Sequence, residues 1–330
     1  MQRSRQLRLI LLLALIVVAS FLIIIISKTH GIISQQTTKK VENTSVAILT
    51  SDILTDQSWG SLAYKGKINI EQQYPVSAQV ISEVNTNQKM KEAAEKVIQN
   101  GTKVVIGHGR EFSTVFTELA PKYPHVHFVT IHGTSRYKNQ TVYTFDQTKI
   151  EHMAGTAAAI KTKTKKIGLL DTFAKEKNPG FEQGIKAYDS SIAFYYRVVN
   201  SRDDGAKAVK LLRELKDQGV DIVYAKGNSY NQEVIQEAKT QGMYVIGYLD
   251  DQAYMGRSVI LTSVINDVPQ AYNVIMKDYF SKKGLPSGEV KLDTRDGVYK
   301  LAPFGPMYSK GEKQILYSLY SKVRMSTQPK

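Results

Sequence analysis

The chain of 330 residues exceeds the roughly 100–150 that one globular core usually occupies, so two lobes or two domains are expected. Its 42% hydrophobic and 22% charged residues are those of a folded protein, and zero cysteines exclude disulfides, cysteine nucleophiles, thiolate metal sites and attachment through a cysteine-linked lipid. Forty-four Lys and Arg against 30 Asp and Glu give a net charge of +14, compatible with nucleic acid, an anionic membrane or an anionic cell envelope, and topology must choose among them.

Leu9 to Ile26 reads LILLLALIVVASFLIIII, with no charge and Ser20 as its one polar break, and spans about 27 Å as a helix. Arg3, Arg5 and Arg8 precede it without an acid, so the positive-inside rule keeps the amino terminus cytoplasmic and sends the bulk of the chain outward. The rival reading, a cleaved signal peptide, fits less well because apolar residues continue past the small pair Ala19-Ser20. Residues 1–26 therefore read as a tail and single-pass anchor at the cell membrane, 27–44 as a short flexible spacer, and 45–330 as the extracytoplasmic body. With the bulk outside, and with no zinc-finger spacing or arginine-rich arm, direct nucleic-acid binding is not expected.

Past the spacer, buried-strand runs alternate with helical patterns. Strands are predicted at Val46–Leu49, Ser77–Glu83, Lys103–Ile106 and His127–Ile131, and helices at Trp59–Tyr74, Gln88–Gln99 and Glu111–Leu119. The second half repeats the order, with strands at Ile167–Leu170, Phe194–Val199, Asp221–Tyr224 and Tyr244–Gly247 and helices at Phe181–Tyr188, Gly205–Lys216 and Gln232–Thr240. Gly101 and Gly219, 118 residues apart, each end a helix and each precede a second glycine, Gly109 and Gly227, by eight residues. Duplication of one α/β unit is the simplest account. The remainder, strand-like at Val259–Ile265, helical at Pro269–Phe280, extended at Glu289–Leu301 and helical at Lys313–Val323, is expected to cross between lobes and complete both sheets. The fold class is thus α/β, with two Rossmann-like lobes of parallel sheet (lobe 1 about 45–150, lobe 2 about 160–250, completed by 251–330), preceded by one transmembrane helix; a cleft lies where the carboxyl ends of the strands converge.

Enzyme and cofactor signatures are missing. Neither a phosphate loop, nor a dinucleotide fingerprint around Gly107-His108-Gly109, nor a nucleophile elbow is present, so no catalytic residue, cofactor or metal is assigned. His125 and His127 share a strand face without a carboxylate cluster and read as a strand-entry pair. His108 and His132 follow strands at the carboxyl edge and are candidates to line the cleft, with Gly109 beside them. Asp56 and Ser58 lie in the first such loop before Trp59, the only tryptophan; Asp56 reads as a helix cap or a ligand contact, and Trp59 as a packed or a stacking ring. Asp203 and Asp204 carry the same double reading before Gly205. Gly227, Asn228 and Tyr230 open a helix after a strand, and Asp250 and Asp251 form the strongest acidic patch on the cleft rim.

The residues Asp56-Gln57-Ser58-Trp59-Gly60, Ala120-Pro121-Lys122-Tyr123-Pro124, Ala154-Gly155 through Lys166-Ile167-Gly168, Gly219 through Tyr224, Ile246 through Gln252 and Leu261-Thr262-Ser263 resemble the basic membrane protein, or PnrA-like, family of type I periplasmic-binding-protein fold, and within it a Med-like branch described as positive regulators of competence. The resemblance implies either a regulator that senses a ligand or contacts a membrane partner, or, alternatively, the receptor of an ABC importer that delivers purine nucleosides to a permease. It carries the stacking role to Trp59 and the first polar contact to Asp56. At three positions the chain departs from the family: His132 and Leu249 stand where acids are usual, and Asn266 where a lysine is. Each lost charge-assisted hydrogen bond removes roughly 1.5–3 kcal/mol of nucleoside affinity, so an altered ligand or none is expected.

Overall fold

The computed structural model describes residues 20, 43–54, 59–174, 179–201, 203–227 and 229–325. The transmembrane reading of Leu9–Ile26 falls, apart from Ser20, outside them, and among the described residues no helix is long and apolar enough to cross a membrane.

Thr44–Lys330 forms one compact unit built on two six-stranded sheets. In the first half, β1 (Thr44–Leu49), α1 (Trp59–Gln73), β2 (Val76–Ile81), α2 (Asn87–Gln99), β3 (Val104–Gly107), a 3-10 turn at Arg110–Phe112, α3 (Ser113–Leu119), β4 (His127–Ile131) and β5 (Gln140–Phe145) follow one another. Helix α4 (Thr148–Lys161) crosses to the second half: β6 (Lys166–Asp171), α5 (Pro179–Tyr188), β7 (Ala193–Val198), α6 (Gly205–Asp217), β8 (Ile222–Lys226), α7 (Asn231–Gln241), β9 (Tyr244–Leu249), α8 (Ala253–Gly256) and β10 (Ile260–Asn266). Helix α9 (Val268–Tyr279) returns to the first lobe with β11 (Gly288–Leu292), after which β12 (Tyr299–Leu301) rejoins the second and α10 (Lys310–Met325) ends the described chain.

The strand orders are β11-β5-β4-β3-β1-β2 and β12-β10-β9-β8-β6-β7, the same winding twice, with every pair parallel except β10–β12. The chain therefore passes between lobes three times, and the extended segment expected at Glu289–Leu301 divides into one edge strand for each sheet. Asp293, at the start of the last crossing, is clasped by Lys149 at 3.3 Å and Arg295 at 2.8 Å.

The repeat is visible in local chemistry. Thr86 and Asp204, 118 residues apart, cap α2 and α6 by accepting the amide N–H of Lys89 (3.2 Å) and of Lys207 (2.9 Å), each cap contributing about 1 kcal/mol. Both helices end at a left-handed glycine, Gly101 at φ 88° and Gly219 at φ 85°, where a side chain would strain the turn. Helix α6 buries Ala208, Leu212 and Leu215, positions i, i+4 and i+7 of one face; each leucine adds roughly 1.5–3 kcal/mol. Asp204 is thus the capping member of its pair, while exposed Asp203 accepts the Ser201 hydroxyl at 2.6 Å.

Strand β5 was not expected from the sequence, although Thr141-Val142-Tyr143-Thr144-Phe145 has the branched and aromatic content of a strand. No helix separates it from β4, so the alternating pattern gives no warning of it. The crossover helix α4 packs on α5 at glycine contacts: a Cβ on Gly155 would overlap the Phe181 carbonyl oxygen, and one on Gly184 the His152 carbonyl oxygen. Gly155→Val is expected to destabilise the fold by about 3 kcal/mol or more, because rigid backbone rather than a mobile side chain blocks the space. Urea unfolding monitored by circular dichroism measures it; a loss below about 1 kcal/mol would mean that the two helices can separate without cost.

Candidate functional site

Two clusters occupy the carboxyl ends of the strands, one in each lobe. In lobe 1 His108, directly after β3, is fully buried. Its ring lies 4.4 Å from that of Trp59 at an interplanar angle of 26°. Trp59 Nε1–H donates to the His108 carbonyl (2.8 Å), and His108 Nε2 lies 2.8 Å from the Trp59 carbonyl. Since a carbonyl only accepts, Nε2 carries the proton, which leaves Nδ1 to accept the Tyr272 hydroxyl at 2.6 Å. Tyr272, on α9, lies against Gly66 of α1, where any Cβ would collide with the ring. These contacts fasten the first strand-end loop to a helix that crosses between the lobes, and they occupy one face of Trp59.

The equivalent position of lobe 2, 118 residues on, is Lys226, only 2% exposed. Its Nζ pairs with Glu151 of α4 at 2.5 Å and sits 5.7 Å from the centre of the Tyr248 ring. Both charges are out of water, so their mutual attraction offsets part of the desolvation cost of each. Tyr224 and Tyr248 surround the pair, and their hydroxyls are pushed above the usual phenol range, by burial first and by the Glu151 charge next. Tyr248 Oη also reaches Gln147 Oε1 at 3.5 Å. The T-shaped contacts His132–Phe145 (5.1 Å) and Phe145–Tyr299 (6.2 Å) join the end of β4, the end of β5 and the start of β12. Aromatic rings thus cluster at these strand ends of the two lobes.

Among the sequence-derived site residues, Asp56, Ser58 and Asn228 lie outside the described residues. Trp59 is half-buried and His108 wholly interior, so the structure brings these two together but turns the histidine inward. Gly109 is buried beside Glu111, whose carboxylate accepts the Ser51 hydroxyl at 2.8 Å. His132 is half-buried at the cleft base with φ 63°, and Leu249, at the matching end of β9, has φ 74°. Both lobes thus leave their fourth strand through a strained left-handed residue, a conformation that costs about 1–3 kcal/mol and clusters at binding sites.

Gly227 N–H donates to Asn231 Oδ1 (3.0 Å), and Tyr230 is fully buried with its hydroxyl on the Leu170 carbonyl (3.3 Å). The Tyr230 ring fills the space over Gly227 inside lobe 2 and is wholly covered there. Asp203 likewise sits on the exposed approach to α6, held by Ser201. Asp250 is exposed and Asp251 half-buried; they accept the amides of Asp251 (2.7 Å) and Ala253 (3.1 Å), a turn that shapes the rim. The neighbouring Gln252 is structural, accepting from Asn231 (3.1 Å) and from the Tyr248 amide (3.2 Å). Sequence reasoning missed Phe145, Gln147, Glu151 and Tyr299, on segments it left unread or treated as framework, and passed over Tyr248 inside the motif Ile246 through Gln252.

His127, His132 and His152 have pKa values below the ordinary histidine value; burial is the first cause in each, with Arg110 adding to it at His132. A folded value below the unfolded one of about 6.5 means that the stability contribution is present above that pH and is lost as pH falls through the lower folded values. Thermal unfolding is expected at lower temperature at pH 5 than at pH 7, and His127→Gln, His132→Gln and His152→Gln together should flatten that dependence. An unchanged slope would assign acid sensitivity to carboxylates such as Glu71 and Asp293, whose pKa values are lowered and which protonate further down the scale.

The family described as ABC transporter substrate-binding protein PnrA-like matches residues 43–327. The chain belongs to this family. The PnrA-like chain is 32% identical over 285 residues, 86% of its length and 90% of the relative's, to the transcriptional activator protein Med of Bacillus subtilis strain 168. It superposes with a TM-score of 0.76 and 30% identity on the crystal structure of a transcriptional activator of the comK gene from Bacillus halodurans, covering 87% of this chain and 100% of that one. It is also 28% identical over 206 residues, 56% of this chain and 58% of the other, to the ABC transporter nucleoside-binding protein BmpA of Lactococcus lactis subsp. cremoris. The PnrA-like family consists of substrate-binding proteins, which agrees with two lobes around a cleft.

Proposed function

We propose that this PnrA-like protein is a regulator of the Med type: an α/β body held outside the cytoplasm by the segment Leu9–Ile26, which senses a ligand or contacts a membrane partner instead of catalysing a reaction. The observation that carries this reading is the Trp59–His108–Tyr272 assembly. A first-loop aromatic that serves as a stacking platform needs freedom to adjust to a base; here one face of Trp59 is covered by a buried histidine that is itself tied to a crossover helix, which fixes the ring in place and leaves it a single face. The positions His132, Leu249 and Asn266, which the resemblance reads as replacing two acids and a lysine, point the same way, as does the 32% identity to Med over most of both chains. Ligand or partner contact would act by changing how the lobes close.

The second reading, a receptor that hands purine nucleosides to an ABC permease, is favoured by the similarity to the nucleoside-binding protein of Lactococcus. One pair of experiments separates them. Expressed in a B. subtilis strain lacking med, this chain is expected to restore med-dependent transcription, and calorimetry of the full chain in detergent against a panel of purine nucleosides is expected to show no binding. Micromolar binding abolished by Trp59→Ala, without restored transcription, would replace the first reading by the second.

A further inference from the structure

We infer that the strand-start edge of lobe 1 is a docking surface for an anionic lipid bilayer. The inference rests on the membrane-anchor reading above and adds to it which face of the body meets the membrane. Residue Thr44 opens β1, so the preceding chain joins the fold at the amino-terminal edge of the lobe 1 sheet, the edge opposite the cleft. Backbone pairing defines that edge: Thr44 N–H donates to the Pro75 carbonyl (3.0 Å), Lys103 N–H to Ser45 (3.0 Å), His127 N–H to Lys103 (2.9 Å) and Phe128 N–H to Asn139 (2.9 Å).

Five lysines, Lys103, Lys122, Lys138, Lys282 and Lys283, are exposed there. Asn139 binds the turn that holds Lys122 to this edge, its Nδ2 donating to the carbonyls of Ala120 (3.0 Å), Tyr123 (3.2 Å) and Val126 (3.0 Å). Lys282 and Lys283 lie in the turn before Pro286, whose carbonyl accepts the Thr141 hydroxyl. Among the described residues none of the five lysines forms an ion pair. Two acids close to this edge are already engaged, Asp278 by the Tyr143 hydroxyl (2.7 Å) and Glu71 by Lys67 (2.6 Å). Phe280, 42% exposed and stacked on Tyr74 at 5.8 Å, adds an aromatic of the kind that settles among lipid headgroups.

Lysines flanked by an exposed aromatic are the chemistry of an anionic interface, and weak attraction by each lysine suffices when the body is already tethered. The eighteen residues 27–44 reach at most about 60 Å, so the surface is held near the headgroups at high effective concentration. Docking this edge turns the cleft, at the other end of the strands, away from the membrane.

The absence of cysteine allows clean single-site labelling. The full chain, carrying a fluorophore at Ser281→Cys on the lysine edge or at Thr134→Cys at the opposite end of the sheet, is reconstituted in nanodiscs containing headgroup-quencher lipid, either neutral or with about 30 mol% phosphatidylglycerol. Expected is quenching several-fold stronger at position 281 than at 134 in anionic discs, abolished by about 0.5 M salt. The same loss is expected from Lys103→Gln, Lys138→Gln, Lys282→Gln and Lys283→Gln combined, with the circular dichroism spectrum and melting curve unchanged. Equal quenching at the two positions, or quenching indifferent to the lysines, overturns the docking surface while leaving the anchor in place. Release of the chain from bilayers by alkaline wash overturns the anchor reading and the inference with it.

Discussion

Glu151→Gln is expected to lower the unfolding free energy by about 3–5 kcal/mol, among the largest losses of any single substitution in this chain, because it leaves Lys226 charged, buried and without its counter-ion. Lys226→Met should cost a similar amount, because the buried Glu151 carboxylate loses its cationic partner. The double substitution Glu151→Gln with Lys226→Met should recover most of the loss, since desolvation of two charges is then no longer demanded. The comparison is made by urea unfolding of the four proteins as a double-mutant cycle. A single-mutant loss near that of an exposed pair, below about 1 kcal/mol, would show that water reaches the site and that the pair does not hold the crossover. Glu151 lies in the first turn of α4, the helix that carries the chain from lobe 1 to lobe 2.

His108→Ala is expected to cost about 3 kcal/mol and to shift the emission of Trp59 to longer wavelength. The loss combines a cavity with the stranding of the buried Tyr272 hydroxyl. The spectral shift follows because Trp59, the only tryptophan, loses the ring that covers one of its faces. His108→Gln supplies both a donor for the Trp59 carbonyl and an acceptor for Tyr272, so it should retain more than half of the stability. Unfolding curves and emission spectra test the two variants together. If His108→Ala changes neither, the assembly is not what closes the first loop, and Trp59 becomes available for stacking on a base.

Much of the architecture can be read locally. Capping residues Thr86 and Asp204, glycines at 101 and 219 and the apolar strands around Ile106 and Val223 each announce themselves within a few residues, and their common spacing discloses the duplication. Strand β5 escapes because the only signal for it is a run of branched and aromatic residues with no helix before it to keep the rhythm. The candidate site is less legible. Trp59, His108 and His132 are recognisable as strand-end residues, yet whether such a residue faces the cleft or the interior depends on neighbours far along the chain. Tyr272 meets His108 across 164 positions, and Lys226 meets Glu151 across 75.

The division follows from the range of the forces involved. Backbone hydrogen bonding, helix capping and hydrophobic periodicity act over a turn or a strand, so the amino-acid sequence by itself determined the alternation of strands and helices, the two equivalent halves and the apolar amino-terminal segment. Burial of a charge or of a ring is decided by whatever the rest of the chain places around it. Only the tertiary structure decided that the lysine ending β8 would be paired inside, that the histidine after β3 would be locked between a tryptophan and a crossover tyrosine, and that the lysines at the strand-start edge would be left to solvent on one face.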